Sequence, residues 1–293
     1  MVRVQKLSHH LIMKIVFVQG GLGNQLFQYA FFRYLAKKSD ENVYLDATAP
    51  FISKHGGFEI KKVFPATSND KRILPYWKAR PFFLAGDILK KILKINLQTA
   101  EENPIGKKIW WKAHWQKYQY AEFAENELRE ILQFTSAKDV RNQETLAQLS
   151  TLETSVSIHI RRGDYLQPQF INTFGNICTL NYYQKAIDYI SQKIENVHFF
   201  IFSDDQQWVK KNLSLQNAVY VDWNTGTNSF RDMQLMSACK HHIIANSSFS
   251  WWGAWLNPNK EKIVVCPQKW FHNYPIEFTE ELLPPQWHRV NID

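Results

Sequence analysis

The chain has 293 residues, 45% of them hydrophobic and 15% aromatic, and a formal net charge of +8. That apolar content excludes a disordered chain, and the length suits two domains better than one core. Cys178, Cys239 and Cys266 are odd in number and lack C-x-x-C spacing, which excludes a disulfide framework and a zinc site and fits a reducing compartment.

Residues 13–19 read as a buried strand, Gly20-Gly21-Leu22-Gly23 as a turn, and the following segment as a helix capped by Asn24. Its apolar positions Leu26, Phe27, Ala30, Phe31, Tyr34 and Leu35 recur at helical spacing. With a second strand over 42–46 this makes a βαβ opening. Residues 1–12 precede it as an extension outside the fold. Residues 50–120 are broken by Gly56-Gly57, Pro65, Pro75, Pro81 and Pro104, and read as an irregular or loosely helical insertion. Amphipathic helices are predicted over 122–134 and 139–149. From about residue 151 strands (155–161, 198–203, 218–222, 242–246, 262–266) alternate with helices (181–195, 206–213, 229–239, 248–256). That alternation specifies a parallel, doubly wound α/β sheet. The chain thus divides into an N-terminal Rossmann-like domain, 13–150, and a C-terminal one, 151–293, facing across a cleft.

The glycine turn lets backbone approach a phosphate at the start of a helix. With Asp46 closing the second strand it also invites a dinucleotide reading, as in an NAD-type oxidoreductase. However, Gly21-x-Gly23-x-x-Leu26 lacks the third glycine of that fingerprint, and a plain tight turn remains an alternative. His159-Ile160-Arg161-Arg162-Gly163-Asp164 ends the strand 155–161. Two arginines there are costly to bury without an anion, and their planar forks suit phosphate. Strand alternation puts His159 and Arg161 on one face, making Arg161 the phosphate ligand; Arg162 could instead pair with Asp164 at the surface. Ser203-Asp204-Asp205 ends the next strand and reads as a helix cap; Asp232, early in its helix, reads as dipole compensation. Asn246-Ser247-Ser248-Phe249-Ser250-Trp251-Trp252 offers hydroxyls and amides at a helix start, a second phosphate cradle beside indoles that suit the core.

No D-x-D, H-E-x-x-H or cysteine–histidine spacing indicates a metal. Lys90, Lys91 and Lys94, with Lys107, Lys108 and Lys112 nearby, read as a solvated face that leaves peripheral contact with the inner membrane open. They form no stripe of the kind nucleic acid requires, which weighs against a non-enzymatic nucleic-acid-binding protein. No segment is long and uncharged enough to span a bilayer, and the first residues lack a signal-peptide core, so a cytoplasmic protein is expected.

Three blocks in order, Gly20-Gly21-Leu22-Gly23-Asn24-Gln25-Leu26-Phe27-Gln28-Tyr29-Ala30, His159-Ile160-Arg161-Arg162-Gly163-Asp164-Tyr165 and Asn246 through Trp255, resemble the α-1,2-fucosyltransferases of glycosyltransferase family 11. The resemblance runs from Lys14 onward. It implies a GT-B-like fold and metal-independent, inverting transfer of L-fucose from GDP-β-L-fucose to the 2-hydroxyl of a terminal galactose, in surface polysaccharide or lipopolysaccharide synthesis, with no cofactor. By motif position it implies that Gly21, Gly23 and Asn24 approach the donor, and that Arg161 holds the β-phosphate with His159 and Arg162 in support. Asp232 would accept from the guanine or ribose, and Ser248 and Phe249 would meet the nucleotide. Asp164 is the general-base candidate, with Glu59 and His55 as alternatives. Trp115 and Gln116, in the block Trp115-Gln116-Lys117-Tyr118, are the implied acceptor surface.

Overall fold

The computed structural model describes residues 13–39, 42–48, 57–102 and 108–292. Residues 1–12, as well as His55 and Lys107, lie outside the described residues. Two compact units divide between Thr135 and Ser136. This boundary falls earlier than the one read from the sequence because the helix Val140–Thr151 belongs to the second unit. Its Leu149 is buried with Phe200, Phe202, Val221 and Leu235, and its Asn142 bonds to Trp223 and Asn224.

The first unit is built on a five-stranded sheet of β1 (Lys14–Phe17), β2 (Val43–Asp46), β3 (Ile73–Leu74), β4 (Gln98–Thr99) and β5 (Trp110–Trp111). The spatial order is β3-β2-β1-β5-β4, and every pairing is parallel. Three of these strands lie in the stretch read as irregular. At two residues each they are too short to display a period of two, and the prolines around them hide the strand signal. The same stretch holds a 17-residue helix, Tyr76–Ile92, which continues through Pro81. The helix Leu22–Lys38 is buried on nearly every side, since Phe27, Phe31, Phe32 and Leu35 all point into packed surroundings. Its Gln25 and Arg33 are buried with partners, Gln25 donating to the Gly20 and Gly57 carbonyls and Arg33 to Asp70.

The second unit holds β6 (Ser155–Ile160), β7 (His198–Ser203), β8 (Ala218–Val221), β9 (His241–Ile243), β10 (Val264–Pro267) and β11 (His288–Val290). Their order is β11-β10-β9-β6-β7-β8, again all parallel. β6 is buried along its whole length, as a central strand covered on both faces must be. The chain lays β7 and β8 outward on one side of β6, then returns to place β9, β10 and β11 on the other. Between β6 and β9 the direction of winding therefore reverses, and a crevice opens at their carboxyl ends. In the first unit too the strands split to two sides of β1, with β2 and β3 on one and β5 on the other, but there the chain reaches the edge strand β4 before it returns to β5.

Buried polar groups are matched beneath this crevice. Asn257 Nδ2 donates to the Cys239 carbonyl and lies 2.8 Å from His242 Nε2. His242 Nε2 must then accept, so its proton sits on Nδ1 and faces Ser157 Oγ at 2.8 Å. Burial, reinforced by Lys262 and His241, holds this imidazole neutral.

The indoles of Ser248–Leu256 are core, as one of the two sequence readings has it: Trp251 and Trp252 are fully buried, Trp255 nearly so, and Trp251 Nε1 donates to the Leu282 carbonyl at 3.0 Å. Trp251→Ala leaves a large cavity and an orphaned carbonyl, so a loss of about 3–5 kcal/mol is expected in urea-induced unfolding. A loss below 1 kcal/mol, on the order of a surface substitution, would show that the indole is not a core element.

Candidate active site

The carboxyl end of β6 delivers Arg161 and Arg162 to the reversal point of the second unit. The two guanidiniums diverge. Arg161 donates from Nη2 to Asp164 Oδ2 at 2.8 Å, and its Nε lies 3.2 Å from Asp204 Oδ2. Arg162 lies over the Trp208 ring, 4.0 Å from its centre, with Nε 3.3 Å from Asp205 Oδ2. The surface pair of Arg162 with Asp164 is not formed, because Asp164 belongs to Arg161.

Asp204 does more than its sequence position suggests. It ends β7, the strand paired with β6, and in the sequence it reads, with Asp205, as a helix cap. Asp205 does cap the helix Gln206–Asn212, accepting from the Trp208 N–H at 3.0 Å. Asp204 instead accepts the Arg162 backbone N–H at 2.9 Å while its other oxygen meets Arg161. A Cβ added at Gly163 would stand 2.9 Å from Asp204 Oδ2, so a side chain here would push the Asp204 carboxylate from its place. An acidic pair at the end of the strand neighbouring an arginine-bearing strand end is the available signal.

Contrary to the expectation that two arginines here need an anionic ligand, their charge is met within the chain. The arginines do not depend on an outside anion, since Asp164, Asp204 and Asp205 already answer them. Among the described residues the Nη1 end of Arg161 is left uncommitted, already oriented by two carboxylates. On Asp164, Oδ2 is engaged and Oδ1 is buried with no partner among the described residues.

His159 is buried one turn of the pleat earlier. Burial, with the charge of Arg161, pushes its pKa down to about 3, so it supplies a neutral imidazole and no cation to a phosphate. Its Nδ1 is buried without a partner among the described residues, and its ring lies 5.8 Å from that of Phe249. Phe249 stands in the first turn of Ser248–Leu256, whose N-cap Ser247 accepts from the Phe249 N–H. This helix start follows β9, the other strand at the reversal. Tyr165 ties the two loops together by donating its hydroxyl to the Asn246 carbonyl at 3.1 Å, and the Asn246 amide is pinned to the carbonyls of Phe174 and Trp270. His159, Arg161, Arg162, Asp164, Ser248 and Phe249 are thus gathered at one crevice.

Asp232 lies on the first turn of Phe230–Ala238, the helix whose Met236 packs against Gly253 of Ser248–Leu256. Burial raises its carboxyl to about 7, opposed by the Asn224 amide that donates to it at 2.8 Å. Asn224 is in turn bonded to the buried Asn142, so the acid is held by an amide pair rather than by a cation. A carboxyl poised near neutrality is suited to exchanging hydrogen bonds with a ligand.

The first unit's reversal point gathers a second set. Its helix starts at Leu22, with Gly21 at the N-cap and no side-chain cap. Asn24 is therefore not the cap expected from sequence; it sits in the first turn, where its Oδ1 accepts from Gln116 Nε2 at 2.8 Å. Gly20 has φ +80°, a conformation that favours glycine, and a Cβ at Gly21 would meet nothing within 4 Å. Gly23 is buried within the helix. Trp115, expected as acceptor surface, is only 7% exposed and lies parallel to Phe31 with ring centres 3.8 Å apart, so that face of the indole is closed. Its backbone is left-handed, φ 54°, which turns the chain sharply after β5 and aims Gln116 at Asn24. Asp46 is buried and raised by that burial, with Oδ1 taken by the Thr48 N–H, which disfavours its use as a ribose ligand. Glu59 precedes the helix Ile60–Val63, and its N–H donates to Gln25.

Two doubly wound parallel sheets, each with polar residues at its reversal point, define the GT-B-like class of glycosyltransferase folds. Solved structures support the fold: the NodZ α-1,6-fucosyltransferase soaked with GDP-fucose is 16% identical, with a TM-score of 0.51 over 84% of this chain and 92% of that one. The chain belongs to glycosyl transferase family 11, whose signature matches residues 2–291, and is a glycosyltransferase. It is 33% identical to an alpha-1,2-colitosyltransferase of Escherichia coli over 92% of this chain and 96% of that protein. It is also 46% identical to the O-antigen biosynthesis glycosyltransferase WbnK of Escherichia coli, over 40% and 39% of the two chains.

Gly163→Ala tests the geometry. Its methyl must displace Asp204 and with it Arg161, and misplacement on this scale lowers kcat/KM by about a hundredfold. Thermal melting should stay near that of the parent chain. Unchanged turnover would mean that Asp204 does not position Arg161.

Proposed function

We propose that the chain transfers L-fucose from GDP-β-L-fucose to the 2-hydroxyl of a terminal β-galactoside, with inversion and without a metal ion, in building a bacterial surface polysaccharide. The observation that carries this reading is Arg161 held between Asp164 and Asp204 at the β6–β9 reversal, beside the start of the helix Ser248–Leu256. In open α/β sheets ligands bind at that position, and free N–H groups of a helix start favour phosphate.

In this reading the anomeric carbon–oxygen bond of the donor breaks and its electron pair leaves with GDP. The uncommitted Nη1 of Arg161 and the helix start receive the charge that develops on the β-phosphate oxygen. In comparable reactions, preorganised stabilisation of this kind supplies most of the rate enhancement. The galactose 2-hydroxyl attacks from the opposite face, forming the new bond, and its proton passes to the Asp164 carboxylate. Arg162 buttresses the arginine loop from outside, and His159 and Phe249 line the nucleotide side. Asp232 accepts from the guanine or ribose. In the first unit Gly21, Gly23 and Asn24 are the donor-binding candidates, and Gln116, bonded to Asn24, is the acceptor-binding candidate.

A second reading keeps the mechanism and changes the sugar. The likeness to an alpha-1,2-colitosyltransferase favours GDP-colitose, whose sugar is L-fucose without the 3-hydroxyl. A site built to bond that hydroxyl rejects the deoxy sugar strongly, whereas one that only encloses it discriminates weakly.

The test is to incubate the chain with lactose and either GDP-fucose or GDP-colitose in the presence of EDTA, and to assign linkage and anomeric configuration by NMR. An α-1,2-linked fucosyl product with release of GDP is expected, and Arg161→Ala should lower kcat by about a hundred- to a thousandfold. Transfer from GDP-colitose alone would move the assignment to the second reading. Absence of product with any β-galactoside would overturn both.

A further inference from the structure

The helix Tyr76–Ile92 of the first unit carries an apolar stripe on its solvent side. At 100° per residue, Trp77, Leu84, Ile88 and Ile92 fall within an arc of about 80°. They are 69%, 48%, 55% and 72% exposed, far more than large apolar side chains usually are. The helix packs through its opposite side: Ala79 is buried, and a Cβ at Gly86 would meet the Trp110 ring at 2.9 Å. The stripe is therefore not a misplaced core face. Leu93 and Ile95, just past the helix end, are also exposed.

Cations border this stripe. Lys78 flanks it on one side, Lys91 and Arg80 on the other, and Lys94 stands just past the helix end, against one carboxylate, Asp87; Lys78, Lys91 and Lys94 are exposed. Lys78 Nζ lies 5.0 Å from the Trp77 ring centre, an ammonium beside an amphipathic ring. A tryptophan at one end, aliphatic side chains along one arc and lysines beside them is the pattern of a helix that lies in a membrane interface. Among the described residues no helix is long and apolar enough to cross a membrane, so the helix would rest on the bilayer, not span it.

We propose that this face of the helix Tyr76–Ile92 docks the protein on an anionic lipid surface. The apolar side chains enter the boundary between headgroups and acyl chains, and the lysines meet lipid phosphates. Charge selects this occupant over a second copy of the chain, because a twofold contact through the stripe would bring the same lysines against one another. It also selects anionic over zwitterionic lipid, since each lysine near such a surface adds to the attraction. The inference does not depend on which sugar is transferred.

The experiment is co-sedimentation of the full chain with phosphatidylcholine vesicles that lack or contain phosphatidylglycerol. Two variant pairs accompany it, Ile88→Gln with Ile92→Gln, and Lys78→Glu with Lys91→Glu. The parent chain should partition onto the anionic vesicles about tenfold or more better than onto the neutral ones, and less so as salt rises. The glutamine pair should lose binding to both kinds, and the glutamate pair should lose the anionic preference. Both pairs alter only exposed positions and should keep the parent's melting temperature and its turnover on a soluble acceptor. Equal partition onto both kinds of vesicle, no binding, or binding unaffected by either pair would overturn the proposal. So would a solution dimer that the glutamine pair splits into monomers, which would assign the stripe to a second copy.

Discussion

Arg161 is fixed from two directions, by Asp164 three residues ahead on its own loop and by Asp204 from the neighbouring strand. Much of the second unit can be understood as what that placement requires. β6 and β7 must pair in parallel and in register along their full length for Asp204 to arrive beside Arg161. Glycine at 163 leaves Asp204 its place, because a side chain there would crowd the Asp204 carboxylate. Arg162 must turn away, and it does so onto Trp208 and Asp205, which also caps the next helix. The result is a guanidinium whose position is settled before any ligand arrives. Fixed charge of this kind stabilises a developing anion without reorganisation at the moment of reaction.

The carboxylates have a further consequence. Two guanidiniums with three carboxylates leave no local excess of positive charge, so a phosphate here would be held by direction more than by net attraction. The start of the helix Ser248–Leu256 adds the missing partial charge, and Tyr165 keeps that helix in step with the arginine loop through the Asn246 carbonyl. His159, buried and neutral, contributes shape and an unpaired nitrogen, not charge.

Much of this is legible in the chain itself, and the failures have physical causes. Long buried strands such as β6 and β7 announce themselves as apolar runs, and the residues at their ends follow from topology. The two-residue strands β3, β4 and β5 carry no periodicity, so half the first sheet reads as irregular. The domain boundary shifts because a helix's amphipathic pattern does not say which core its apolar face joins; Leu149 decides it. Trp115 looks like a sugar platform, but an aromatic beside polar residues can be buried as easily as exposed, and Phe31 closes one of its faces. Asp204 is hidden by a correct local rule. A carboxylate at a strand–helix junction usually caps, and here its neighbour Asp205 does so, freeing Asp204 for the arginines.

The central claim is that Arg161, by the geometry of its fork, holds the terminal phosphate of a nucleoside diphosphate. Calorimetric titration of GDP and of GMP into the parent chain and into Arg161→Lys tests it most directly, because lysine keeps the charge and loses the fork. The parent should prefer GDP to GMP, and the substitution should shrink that preference by about tenfold or more while leaving GMP affinity nearly unchanged. A preference for GDP that survives in Arg161→Lys would contradict the account.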